Sequence, residues 1–529
     1  MKTHYALFLF LWLNLCGQAA DKQALQAMKR ATRYMMEVAS YNGGFVWSYL
    51  PDQSRQWGEL EARRTMVWIQ PPGTPAVGHL MLDAWHATRD EYYYQCAERI
   101  AAALVWGQLP CGGWNYMFDF AGETSTRQWY ATIGKNAWRL EEFQHYYGNA
   151  TYDDGGTIQA AKFFLRLYLE KNDPVWRAPL EKVIRFVLTS QYPVGGWPQR
   201  YPLMYDHPFG GMADYTSFIT LNDDVIPENI DFLLQCYQTL GLSSLKEPIV
   251  RAMNLAILLQ QGEPYSGWAD QYTVDDLQPA HARSYEPRSV NTGTTVYMIR
   301  KLMDYYALTG GDTKYLSGIP AAIRFIESQK LPETEVAKWK RRPGGPDEIL
   351  APRFVHPESG TPLYVHRKGS NVKNGHYYMD QNLEHTIAHY SSAILIDVKK
   401  LKAEYERVKA IPKEELKRNS PFFQDSLVSL PPFYYYPRRR FGQKAATPDE
   451  IIGGLTKEGY WLSLIRQISH PYKPLPEDLS ASGDTRFAET MAGDEYDTSP
   501  FPNTEVMGIS TAVFIENMTR LIHLVAGNE

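Results

Sequence analysis

Three times along the chain a glutamine is followed within a few residues by a glycine-aromatic turn: QLPCGGW at Gln108 to Trp114, QYPVGGW at Gln191 to Trp197 and QGEPYSGW at Gln261 to Trp268. Gln329, in ESQKLP, looks like a fourth, degenerate copy. The glutamines lie 83, 70 and 68 residues apart, about the length of one helical hairpin with its loops. Such a period restricts the fold to stacked helix pairs, because each unit buries its apolar face only against its neighbours. The segments Val77 to Trp85, Tyr94 to Trp106, Ile158 to Tyr168, Leu180 to Leu188 and Val296 to Leu308 carry apolar residues at helical spacing, as hairpins require. The stack can stay an open solenoid or curl into a toroid. Each repeat has its own long, differently decorated loop, as a one-sided active-site rim would, so the sequence predicts a mainly α chain: an α/α toroid with a small β-containing part.

The longest of these loops runs from Gln191 to Asp224 and ends in Asn222-Asp223-Asp224. Connections of this length in a compact domain are functional or disordered, and its aromatic content argues against disorder. We expect an active-site loop.

Composition narrows the function. The 529 residues carry a net charge of -5 with acids and bases well mixed, so no nucleic-acid or membrane surface announces itself. With 36 tyrosines and 14 tryptophans, flat rings are plentiful for stacking on sugar faces. Lys2, the apolar run Tyr5 to Cys16 and the small residues before Asp21 read as a signal peptide over 1–20, which predicts a secreted or periplasmic protein. Beyond it Cys96, Cys111 and Cys236 make no disulfide framework. The toroid is expected over 21–410. Residues 411–529, rich in Pro, Tyr and Asp and lacking the repeat, are expected to form an irregular C-terminal extension packed on it.

Two acidic clusters precede apolar helical stretches: Asn222-Asp223-Asp224, after the β-like run TSFIT, and Asp153-Asp154-Gly155. Each can cap a helix, or offer hard oxygen donors to a cation such as Ca²⁺. After the third turn, Arg283, Glu286 and Arg288 alternate in charge, either as a solvated edge or facing a ligand. The histidines at 356, 366, 376, 385 and 389 lack metalloprotease order.

GGWPQRYP, then FITLNDD, then GWADQYTVDDLQPAHARSYEP, with YDDGGT at 152–157, resembles the pectate lyases of polysaccharide lyase family 10 over roughly residues 30–400. The resemblance implies calcium-assisted β-elimination on an acidic polysaccharide, pectate by default, by a monomer. It implies Asp223 as principal calcium ligand with Asp224 and Glu286 as partners. Arg367 is its first choice of base and Arg353 its second, with Trp197, Arg200, Tyr201, Arg283, Arg288 and Lys330 as substrate contacts. The chain departs from the family at Asn291 to Thr295, and after Arg367 where NGHYYMDQ stands in place of paired arginines.

The chemistry can be judged without the family. Removing the C5 proton of a uronide builds charge beside a carboxylate, so a cation and basic side chains must neutralise it. An arginine base requires other cations nearby, for which Lys368 and the basic loop 338–342 are candidates; Tyr364 or His366 is the fallback. Two other functions stay open: a glycoside hydrolase pairing Asp153 or Asp154 with Asp223, and a glycan-binding protein without turnover.

Overall fold

The computed structural model describes residues 22–134, 141–204, 213–337, 343–345, 347–368, 376–384, 386–387, 392–424, 426–435, 446–466 and 505–527, without the side chains of Arg367, Lys368, His376, Arg466 and Glu505. The expected leader, the basic loop 338–342, His385 and His389 lie outside these residues. The helices are α1 (22–34, running on as the π-helical turn Met35–Ala39), α2 (Thr74–Thr88), α3 (Glu91–Gly107), α4 (Glu123–Thr132), α5 (Gly156–Lys171), α6 (Pro174–Ser190), α7 (Val225–Leu240), α8 (Lys246–Leu258), α9 (Thr292–Leu308), α10 (Lys314–Ser317), α11 (Ile319–Ser328), α12 (Glu333–Val336), α13 (Val398–Lys409), α14 (Lys413–Asn419), α15 (Pro448–Gly454) and α16 (Thr511–Val525). Hairpins α2/α3, α5/α6, α7/α8 and α9/α11 place α2, α5, α7 and α9 on the inside and their partners outside, as an α/α toroid.

The repeat is a set of hydrogen bonds. Gln108 Nε2 donates to Gly112 O (2.8 Å) in its own turn and to Pro179 O (3.1 Å) in the next outer helix. Gln191 does the same to Gly195 O and Pro248 O, both at 3.0 Å. The third copy uses Gln260, donating to Ser266 O (3.0 Å) and Gly318 O (2.9 Å), not Gln261 as the motif suggested. The turn EPYSG is longer than PCG or PVG, and the extra residues move the glutamine back by one. Gln329 donates to Ser328 Oγ instead of a turn carbonyl. Each motif tryptophan seals its turn, with Trp114, Trp197 and Trp268 donating at 2.8 Å to Leu104 O, Val187 O and Ala256 O of the preceding helix.

An antiparallel sheet joins Val290–Asn291, Phe354–Val355, Pro362–Lys368 and His376–Asp380, and its two middle strands form a hairpin between Arg353 and Arg367. The C-terminal strands Leu462–Arg466 and Glu505–Ser510 add to Ser48–Tyr49, Gln56–Trp57 and Glu61–Ala62, and α16 packs on α2. No described helix is long and apolar enough to cross a membrane.

The first turn glycine of each GGW is under the tightest constraint: Gly195 has φ +118°, and a Cβ there would stand 2.6 Å from Arg251 O of the neighbouring helix. Gly195→Ala is expected to destabilise the fold by about 3 kcal/mol, from backbone strain plus a clash with an immobile carbonyl. Urea denaturation checks this, and a loss below about 1 kcal/mol would contradict the packing described.

Candidate functional site

The same backbone turn is built twice on one end of the toroid. At Asp153-Asp154-Gly155 the second and third residues are left-handed (φ 49° and 70°) and α5 follows. At Asn222-Asp223-Asp224 the corresponding angles are 53° and 57°, and α7 follows. Only short polar residues and glycine tolerate this conformation readily. Neither turn makes a side-chain cap bond to its helix. Capping therefore does not account for the acids. Asp153, Asp154 and Asp223 converge instead, with carboxylate oxygens all within 4.8 Å of one another.

The surroundings divide the three acids. Asp153 is buried, yet Arg283 Nη2 (3.0 Å), the neighbouring Asp223 carboxyl and the Tyr116 hydroxyl outweigh the burial and hold it below the usual carboxylate range. Burial and the Asp153 charge push Asp154 up to about 7, despite a hydrogen bond from Gln70 (3.0 Å). Burial, with Asp153 and Asp154 close by, raises Asp223 well above its ordinary value. Three acids this close resist shared ionisation unless a cation joins them.

Arg283 is the bridge between loops. Its Nε donates to Glu142 (2.9 Å), its Nη1 lies 3.3 Å from Glu286 and its Nη2 holds Asp153. Burial opposes its charge, but Glu142, Tyr285, Glu286 and Asp153 raise its pKa well above the ordinary value. Beside it Glu141 accepts from the Ser284 N–H at 2.9 Å, and burial lifts it to about 7.

A cavity of about 250 Å³ opens next to the cluster, lined by Asp223, Asp224, Asp270, Glu286, Arg353 and Tyr297 among others. Burial raises Asp270, with hydrogen bonds from Thr294 and Asn291 opposing it. Asn291 also caps α9, at 2.8 Å to Gly293 N, in the stretch where the chain departs from its family pattern.

The expected residues thus divide. Asp223, Asp224, Glu286 and Arg353 share the cavity wall, and Arg283 stands against the cluster. Asp224 makes a hydrogen bond with Tyr297, and Glu286 is taken up by Arg283, so Asp153 and Asp154 complete the triplet in their place. Trp197 is 0% exposed and serves the core, so no sugar can stack on it. Arg200 is equally enclosed, and Tyr201 packs on Phe186 with ring centroids 5.9 Å apart. Arg288 pairs with Glu358 at the surface, and Lys330 is exposed at the end of α11; neither lines the cavity. Arg367 lies on the strand Pro362–Lys368, paired with Tyr377. His366 pairs with Asp380 at 2.8 Å. Tyr116 and Glu142 were not anticipated. Tyr116 sits two residues past the first GGW, a signal that could have been used, whereas Glu142 stands in no motif.

Whether a cation fits can be judged from the donors. Both hydrogen bonds from Tyr116 and Arg283 fall on Asp153 Oδ2, and Oδ1 is buried without a partner. An orphaned carboxylate oxygen among two further carboxylates is a donor set for a hard divalent cation.

Residues 108–383, more than half of the chain, match the family model described as pectic acid lyase. Among solved structures, a family 10 polysaccharide lyase from Cellvibrio cellulosa is similar at 16% identity, with 63% of this chain and 98% of that one covered and a TM-score of 0.41. A mutant family 10 enzyme from the same organism, in complex with trigalacturonic acid, gives 14% identity, 64% and 99% coverage and a TM-score of 0.41. An unsaturated glucuronyl hydrolase specific for heparin gives 13%, 58%, 67% and 0.34. No curated protein sequence matches the chain.

With Asp154 pushed up to about 7 and Asp223 raised well above its ordinary value, the cation-free cluster holds protons that must leave when a divalent ion enters. Calcium affinity is therefore expected to fall as pH drops from about 8 to about 6, with proton release on binding. Isothermal titration calorimetry in buffers of different ionisation enthalpy measures both, and an affinity flat across that span would contradict the assignment.

Proposed function

The chain belongs to the pectic acid lyase family, and from that premise we propose that it cleaves a uronate polysaccharide, polygalacturonate by default, by calcium-assisted β-elimination, acting as a secreted or periplasmic monomer. The observation carrying this is the cluster of Asp153, Asp154 and Asp223 beside a cavity with Arg353 in its wall. Asp153, Asp154 and Asp223 would hold the ion. When bound, calcium supplies positive charge to the substrate carboxylate and so acidifies the neighbouring C5–H.

The chain's residues supply the rest. Arg353, in the cavity wall, faces the substrate carboxylate and stabilises the enolate-like charge that grows as the proton leaves, an effect worth several kcal/mol. The C5 proton passes to an arginine in its neutral form, and the C4–O bond then breaks to leave a 4,5-unsaturated end, the departing oxygen taking a proton from solvent. Arg367 is our first choice of base and Arg353 the second. Arg283 is a third candidate on one observation: its guanidinium already touches the cluster at Asp153. Its three carboxylate partners keep it charged without the ion, and a cation drawing on Asp153 weakens that hold.

The hydrolase alternative loses support on distance. An inverting pair needs about 6.5–9.5 Å to admit a water and a retaining pair about 5–5.5 Å across the sugar. Three carboxylates within 4.8 Å on two adjacent turns form a nest, with no room between them for a sugar.

Purified protein on polygalacturonate is expected to raise ultraviolet absorbance from unsaturated ends, and a chelator to abolish it. Reducing ends without that absorbance would identify a hydrolase, and binding without turnover a lectin-like protein. Asp223→Ala is expected to lower kcat/KM about 10³-fold through loss of the ion. Among Arg283→Ala, Arg353→Ala and Arg367→Ala, the variant lacking the base loses turnover about 10³-fold or more; calcium affinity is expected to stay unchanged in Arg353→Ala and Arg367→Ala and to fall in Arg283→Ala, which also strips Asp153 of a partner. If Arg367→Ala keeps its turnover, our first choice is wrong.

A further inference from the structure

Arg200 is a buried cation that the mechanism does not use. It lies on the short strand Arg200–Tyr201, paired with Ala150–Thr151 just ahead of the first acidic turn, and is 1% exposed. Its guanidinium stands between the rings of Tyr116 and Tyr147, 4.7 Å from each centroid. Nη1 donates to Asn115 Oδ1 (3.1 Å) and Asn149 Oδ1 (3.3 Å). Nε and Nη2 have no partner, and no described carboxylate forms an ion pair with it.

A guanidinium enclosed in this way is costly unless negative charge lies near. That charge is the acidic cluster, reached through one residue. Tyr116 presents its ring face to Arg200 and donates its hydroxyl to Asp153. Asn115 ties the two again, because its Oδ1 accepts from Arg200 and also from the Tyr116 N–H at 2.9 Å. A cation over the ring draws electron density from the phenol and makes its O–H a stronger donor.

We propose that Arg200 is a positioning residue for the cation site, fixing Tyr116 by its ring and its backbone so that Tyr116 holds Asp153 Oδ2 and leaves Oδ1 turned to the ion. The inference rests on the cation reading of the cluster. A purely structural role predicts something different: Arg200 would support the fold, and its loss would leave the affinity of the folded protein for calcium untouched.

Calcium titration and terbium luminescence on the full chain separate the two roles. Arg200→Met and Tyr116→Phe are each expected to raise the calcium Kd about tenfold, and the double variant to bind no more weakly than Tyr116→Phe alone, since both act on one carboxylate. Arg200→Lys keeps the charge and loses the planar fork, and is expected to raise Kd at least about threefold. Circular dichroism verifies that each variant is folded. Folded Arg200→Met binding calcium within about twofold of the unaltered protein overturns the proposal, as does a double variant whose losses multiply. If Arg200→Met does not fold, Arg200→Lys decides by the same criterion. An unaltered protein that takes up neither ion overturns the cation reading and the inference with it; one that binds while Arg200→Met binds equally overturns the inference alone.

Discussion

One buried guanidinium holds the functional end of the molecule together. Arg283 comes from the loop before α9, yet two of its three carboxylate partners, Glu142 and Asp153, come from the loop before α5. Removing a charge from water is expensive, and a buried pair broken on one side costs about 3–5 kcal/mol. The two loops are therefore locked in register by an interaction neither can make alone. Ser284 adds a second tie between the same loops through its N–H to Glu141, and the two together fix the Asp153 turn against the cavity beside Arg353.

The price of a site like this is repulsion and backbone strain, and the fold meets it locally. Asp154, Asp223 and Asp224 occupy left-handed conformations that most residues avoid, and three carboxylates crowd together. The crowding is tolerated because burial and mutual repulsion push Asp154 up to about 7 and raise Asp223 above the ordinary carboxylate range, while Arg283 and Tyr116 keep Asp153 ionised. A cluster in that state is poised to exchange protons for a divalent ion. Building the same turn at the mouths of α5 and α7, two adjacent inner helices, is what brings carboxylates 69 residues apart in sequence into one place.

The helical frame was legible because its punctuation is chemical. A glutamine that must reach two carbonyls and a tryptophan that must seal a turn leave the same letters in each repeat, and only the longer EPYSG turn hid the shift to Gln260. The site was legible in part. Both acidic turns stood out, and the resemblance singled out Asp223 and Arg353. But ranking Asp224 and Glu286 above Asp153 and Asp154 needed to know which loops face each other, and sequence spacing carries no such information. Trp197 and Arg200 misled for the opposite reason. Both belong to the family motif, yet the indole N–H serves a helix carbonyl and the guanidinium is enclosed by tyrosines, away from any sugar.

The stretch that most resisted reading is the one beyond residue 410, and the structure gives it a physical role. α14 packs on α9, Phe422 meets Tyr237 of α7 at 5.7 Å, Val428 N donates to Gln238 O, and Pro432 O accepts from Arg166 of α5 at 2.6 Å. Tyr434 then stacks on His79 of α2 at 3.7 Å. The chain crosses all four inner helices in turn. Asp83, already paired with Arg166, accepts the N–H groups of Tyr434 and Tyr435 at 2.8 and 3.0 Å. A carboxylate buried to that degree requires these donors, because a hydrogen-bond partner lost inside the fold leaves the full desolvation cost standing. The inner helices thus carry polar groups that this segment helps to satisfy. Gln159, one turn into α5 from the Asp153 turn, accepts from the Tyr434 hydroxyl at 2.8 Å. The helix that presents half of the acidic cluster is therefore anchored from behind by residues far outside the repeat, which makes the late segment part of what keeps the site rigid.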